Sequence, residues 1–165
     1  MPERQDAVNP RTATITTMPR TPAGDAFTAL VLDVAGLGAR FTAKGESLAQ
    51  PAGQTLARWV TLNAVSDGPA TVAAISRMFG YARQSVQRVA DLLVDDGLAT
   101  YEDNPRHRRA KLLQLTPRGR EVLDVINAAQ TEWADELGGR IGEADLQRTS
   151  RVLRHIAAAM SEAGR

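Results

Sequence analysis

Residues 83 to 88 read Arg-Gln-Ser-Val-Gln-Arg. Arg and Gln are the side chains able to make paired hydrogen bonds to the edges of guanine and adenine. On a helix, Val86, Val89, Leu92 and Leu93 would form the buried face, leaving Arg83, Gln84, Gln87 and Arg88 largely off it. A second cluster, Arg106, His107, Arg108 and Arg109, puts three guanidinium groups into four residues. Charge follows the same segments. Residues 71 to 120 carry nine Lys or Arg against five Asp or Glu, and the remainder carries eleven against fourteen, so a net charge of +1 conceals a basic centre. Phosphate contacts supply most non-specific affinity for nucleic acid, so this segregation suits a polyanion partner, although a few charges of difference also arise by chance.

Other chemistry is scarce. There is no Gly-rich phosphate loop, no Ser or Cys nucleophile with a His partner, and no carboxylate pair of defined spacing, so an enzyme is not expected. His107 and His155 stand far apart with no Glu-x-x-His pattern, so neither a metal site nor a cofactor is expected. The absence of cysteine excludes disulfides, thiolate metal sites and thiol-based redox sensing.

The elements that must position the two clusters follow from periodicity and turn chemistry. Thr71 caps a short helix with Val72, Ile75 and Met78 facing inward, and Gly80 provides the turn into the Arg/Gln helix. Gly97 ends that helix. Leu98 to Glu102 and Ala110 to Leu115 then read as a two-stranded hairpin turning through Asp103, Asn104 and Pro105, with Leu113 and Leu115 on one face. Two helices across a Gly turn, followed by a basic hairpin, are the plan of a winged helix-turn-helix.

Flanking helices complete the chain. Phe27, Leu30, Val31, Val34, Leu37 and Phe41 give one stripe on a first helix that Gly36 and Gly38 weaken. A second runs from about Gln54 to Val65, carrying Leu56, Trp59, Val60 and Asn63. Thr116 and Pro117 start a long helix bearing Val122, Ile126, Ala129, Trp133 and Leu137, expected to end at Gly138 and Gly139. A last helix, from about Glu143 to Glu162, aligns Leu146, Leu153, Ile156, Ala157 and Met160.

The end helices carry more apolar stripe than a compact winged-helix core covers, and a second copy of the chain is the economical cover. The expectation is therefore a mainly α protein with a small β-hairpin wing: a Pro- and Thr-rich disordered tail over 1–24 and one domain over 25–162. Within that domain, 54–119 is the winged helix-turn-helix DNA-binding part, and 25–53 and 120–162 are dimerisation helices. No apolar run approaches the roughly 20 residues that cross a bilayer and no signal peptide opens the chain, so a cytoplasmic location is expected.

With these elements in place, the chain resembles the MarR family of bacterial transcriptional regulators over residues 27 to 162. The specific part is Gly97, Leu98, then Asn104 to Lys111, closing on Leu115, Thr116, Pro117, Arg118 and Gly119. The resemblance implies a homodimer with intertwined terminal helices, a palindromic double-stranded operator and a repressor released by a small acidic or aromatic effector. It maps DNA contacts onto Arg83, Gln84, Ser85, Gln87 and Arg88 and wing contacts onto Arg106, Arg108 and Arg109. It also suggests an effector pocket near Trp59, with Arg40 and Arg58 as partners for an acid; for Trp59 core packing competes with that role, and for the two arginines plain surface charge does. Two departures stand out. His107 occupies the place of an Asp that usually fixes the key wing Arg, leaving Arg109 looser or braced by Asp103. Ala82 occupies the capping place of the recognition helix. A protein-interaction adaptor built on the same fold is the alternative from another class.

Overall fold

The computed structural model describes residues 20–105, 107 and 109–163. Residues 1–19 of the tail expected over 1–24, and the wing contacts assigned to Arg106 and Arg108, lie outside these described residues. The chain forms two compact units divided between Arg40 and Phe41.

Helix α1 spans Pro22–Ala49 and is followed by a single 3-10 turn, Gln50–Ala52. Thr21 Oγ1 accepts the Gly24 N–H at 3.1 Å, satisfying a donor that a helix start otherwise leaves bare, so the helix begins inside the stretch read as tail. In the first unit Phe27, Val31, Leu32, Val34 and Leu37 are all exposed. An 18-residue stretch within residues 22–52 has a mean hydropathy of 1.3, so by length and composition alone this helix could cross a membrane. The sequence reading counted uninterrupted apolar runs, and Asp33 and Arg40 interrupt this one. A charge at the bilayer centre costs about 3 kcal/mol, so the stripe is better suited to packing on protein.

The second unit holds α2 (Leu56–Asn63), β1 (Ala70–Thr71), α3 (Val72–Phe79), α4 (Arg83–Asp95), β2 (Ala99–Glu102), β3 (Leu112–Leu115), α5 (Pro117–Ile141) and α6 (Glu143–Ala163). Three threonines start helices as expected of good caps: Thr55, Thr71 and Thr116 accept from Arg58, Ala74 and Gly119. The sheet has three antiparallel strands in the order β1-β3-β2, not two, with Leu113 opposite both Ala70 and Tyr101. A two-residue strand has no period to read, which is why β1 escaped the sequence analysis.

The core gathers Leu62, Val72, Ile75, Val86, Ala90, Leu93, Leu98, Leu113 and Leu123 from α2, α3, α4, the sheet region and α5, with none from α6. Two expected core residues are outside it. Leu92 is 43% exposed and fully buried Ala90 takes its place: at about 100° per residue Val86, Ala90 and Leu93 centre the inward side, and Leu92 falls well off it. Met78 is 62% exposed: α3 is two turns long, and its last turn reaches the corner where Gly80 (φ 69°) reverses the chain. Helix α5 also runs past Gly138 and Gly139 to Ile141. It stops at Gly142, whose φ of 94° is a conformation that side chains with a Cβ rarely adopt.

Candidate nucleic-acid interface

The corner between α3 and α4 is tied on both sides. The Tyr81 N–H donates to the Ser76 carbonyl at 3.2 Å, and the Ser76 hydroxyl donates to the Tyr81 carbonyl at 2.7 Å. The Phe79 and Tyr81 rings stack with centroids 6.0 Å apart. Ala82 is the N-cap of α4 and supplies no side-chain hydrogen bond, so the first-turn N–H groups point outward without a cap. Burial of Val86, Ala90 and Leu93 against the core turns the opposite side of α4 to solvent, where Arg83, Gln84, Ser85, Gln87 and Arg88 are all exposed.

These residues do not form one cluster. Arg83 and Gln87 join Tyr101, Arg109 and Lys111 around a crevice of about 370 Å³ between α4 and the wing, also lined by Thr71 to Ala73. Gln84 and Arg88 border a second hollow with Asp91 and Asp95, and Gln87 lines both. Ser85 faces a smaller, mostly apolar cleft against Ala57 and Thr61 of α2. The crevice thus unites three cationic side chains from two elements. Sequence analysis had named Arg109 among them, but not Lys111.

Gln87 is held from two sides. Its Nε2 donates to Asp91 Oδ1 and to the Tyr101 hydroxyl, each at 2.8 Å, and that hydroxyl donates to the same carboxylate oxygen at 2.7 Å. Partial burial and the neighbouring Asp91 carboxylate push the Tyr101 phenol up to about 12. Asp91 and Tyr101 were not singled out in the sequence. The spacing of four between Gln87 and Asp91 was legible there as a helical pair, whereas the Tyr101 contact depends on the register of the wing. At the wing tip, the His107 N–H donates to the Asn104 carbonyl at 3.2 Å and the Ala110 N–H to the His107 carbonyl at 2.9 Å. Among the described residues no ion pair joins Asp103 to Arg109, so of the two alternatives for Arg109 the Asp103 brace is not formed.

The three candidates for an effector pocket are placed differently. Arg58 forms an ion pair with Asp96, the C-cap of α4, and donates through Nε to Gln54 Oε1 at 2.7 Å; its side chain is only 16% exposed. Trp59 packs against the core and donates from Nε1 to Asn127 Oδ1 of α5 at 2.9 Å, which favours the packing role. Arg40 is exposed at the end of the first unit. Trp133 meets Phe41 edge to face, centroids 6.3 Å apart, with the Lys44 ammonium 5.7 Å from its ring centroid. Among the described residues no group of three His, Asp or Glu could hold a metal ion.

A helix pair crossing a glycine corner, a solvent-facing Arg/Gln helix and a cationic wing define a winged-helix transcription regulator that binds DNA. The comparisons with known proteins agree. The MarR family profile matches residues 52–110. The uncharacterised protein Rv2011c of Mycobacterium tuberculosis is 40% identical over 136 residues, covering 82% of this chain and 95% of its own. The crystal structure of the MarR family transcription regulator SP03579 superposes with a TM-score of 0.77 at 21% identity, over 86% of this chain and 95% of that one. Staphylococcus aureus MarR, solved in complex with salicylate and kanamycin, gives 0.69 at 17% identity over 85% and 93%. The chain belongs to the MarR family.

Proposed function

We propose that this protein is a homodimeric regulator, a repressor that binds a palindromic operator and is released by a small acidic or aromatic molecule. The observation that carries the DNA reading is the exposed row Arg83, Gln84, Ser85, Gln87 and Arg88, held outward by the buried Val86, Ala90 and Leu93 of the same helix. In this reading α4 enters the major groove and reads base edges. Arg109, with Arg106 and Arg108 of the wing, meets the adjoining minor groove, and Lys111 meets phosphate.

Dimerisation is supported by the apolar positions left uncovered on the terminal helices. Val31, Leu32 and Leu37 of α1 and Ile141, Val152, Leu153 and Met160 of the C-terminal helices are all exposed. A two-fold axis through these helices would also set two copies of α4 side by side for an inverted repeat. The domain scheme follows: the helix-turn-helix and wing read DNA, and the terminal helices pair.

An acidic aromatic effector is suggested by the salicylate of the S. aureus structure. Arg58 is the group best suited to such an anion, and its present partner is Asp96 at the end of the recognition helix. A carboxylate ligand taking the Arg58 guanidinium would release that end of α4, giving effector and DNA opposite preferences for one helix position, as coupling requires. No catalytic role is proposed.

The test is titration of a selected operator with the wild-type protein and with Arg83→Ala and Gln87→Ala. Each substitution is expected to cost about 1–3 kcal/mol at particular base pairs. Affinity should also fall steeply as salt rises, reporting several neutralised phosphates. Unchanged operator binding in both variants would overturn the assignment of α4, and a flat salt response would favour the protein-interaction adaptor.

A further inference from the structure

The Gln87, Asp91 and Tyr101 side chains form a closed triangle with edges of 2.7 and 2.8 Å. An ionised carboxylate only accepts hydrogen bonds, so the end of the Gln87 amide that faces Asp91 must be its NH2. A phenol has a single proton. Here it goes to Asp91, which leaves the Tyr101 oxygen to accept from Gln87. If the amide were reversed, its carbonyl would confront the carboxylate with no proton between them. The triangle is therefore satisfied in one orientation only. The high ionisation range of Tyr101 keeps its proton in place at any physiological pH. Gln87 Oε1 takes no hydrogen bond from a described residue, and the residue itself is exposed.

We propose that Asp91 and Tyr101 are positioning residues that fix the Gln87 amide with its carbonyl outward, so that position 87 selects a base bearing an exocyclic amino group. This rests on the reading of α4 as the recognition helix. In the major groove adenine presents N6–H and cytosine N4–H as donors, whereas guanine O6 and thymine O4 are acceptors. An outward carbonyl pairs with the first two and confronts the oxygen of the others. A free Gln could rotate to suit either class, so the selectivity belongs to the triangle rather than to Gln87 alone. Because Tyr101 is on β2, opposite Leu113, the wing itself sets how the recognition helix reads that base.

The experiment is a binding-site selection from a random DNA pool with the full chain, followed by competition titrations. Every single-base variant of the selected site is titrated with the wild type, Gln87→Ala, Tyr101→Phe and Asp91→Asn, each confirmed folded by circular dichroism. At the base pair whose preference Gln87→Ala abolishes, replacing adenine by purine, or cytosine by pyrimidin-2-one, removes the exocyclic amino group and should weaken wild-type binding about ten-fold or more, the preference for the amino group. Tyr101→Phe keeps the ring but removes the hydroxyl, and should shrink that preference to a few-fold while leaving other positions and the salt slope unchanged. Asp91→Asn, which can face either end of the amide, should do the same. The proposal fails if removing the exocyclic amino group leaves wild-type binding unchanged, if both variants keep the full preference, or if both weaken every sequence equally. No enriched sequence for the wild type would instead overturn the recognition-helix reading and this proposal with it.

Discussion

Gly119 in the first turn of α5 is where the helix comes closest to the wing. A Cβ placed there would lie 1.9 Å from the Leu98 carbonyl oxygen, 2.9 Å from its carbon and 3.2 Å from Leu115 Cδ2. The first of these is roughly 1.5 Å short of ordinary contact, and the obstacle is backbone rather than the end of a flexible side chain. Gly119→Ala must therefore push α5 off the start of β2. Two hydrogen bonds stand in the way: the Thr116 N–H to the Leu98 carbonyl at 3.1 Å and the Thr116 hydroxyl to the Gly97 carbonyl at 2.7 Å. Overpacking of this kind costs about 1–3 kcal/mol and each lost bond about 1 kcal/mol. A loss of roughly 3–5 kcal/mol is expected, a large part of the 5–15 kcal/mol that holds a typical domain together. Urea unfolding followed by circular dichroism measures it, with Gly45→Ala as the comparison. There the Cβ would meet Leu56 Cδ1 at 2.7 Å, but that is a side-chain end that can rotate away. If Gly119→Ala unfolds within 1 kcal/mol of the wild type, the close seating of α5 on the wing is wrong.

Three further outcomes are expected. Ala82→Ser should supply the missing cap of α4 and raise stability by about 1 kcal/mol in the same unfolding assay; no gain would mean that the helix start is satisfied by other means. A double-mutant cycle on Arg58 and Asp96 should give a coupling of about 1 kcal/mol, above the usual exposed pair because Arg58 is largely covered, and a coupling near zero would remove the link between α2 and the end of α4. Tyr101 ionises at about 12 in the folded chain against 10 for a free tyrosine, so the fold favours its protonated form. That contribution is complete below pH 10 and lost as pH rises through 12. Phenolate absorbance, compared between wild type and Tyr101→Phe, should show the difference as a late step, and a step near pH 10 would contradict the Asp91 contact.

The helix-turn-helix and wing were legible because their signals are local. Thr71, Thr116 and Pro117 mark helix starts, and Gly80 and Gly97 adopt the positive φ that their turns require. The exposed Arg/Gln row also followed from the 3.6-residue period, since placing Val86 inside puts Gln87 and Arg88 outside. What escaped depends on contacts distant in sequence. Strand β1 is defined by its pairing with β3, and the Arg58 to Asp96 pair spans 38 residues. Nothing in the sequence singles out Tyr101; only the register of β2 brings it to Gln87. The end of α5 was misjudged because two glycines lower helix propensity without requiring a stop, whereas Gly142 takes a backbone angle that does.

The most direct measurement is the sequence of DNA retained by the full chain from a random pool, read together with the stoichiometry of the complex. Two copies of α4 related by a two-fold axis should enrich an inverted repeat with half-site centres about 10 base pairs apart, bound by two chains. Absence of any enriched sequence, or an asymmetric site bound by one chain, would contradict a dimeric reader of DNA.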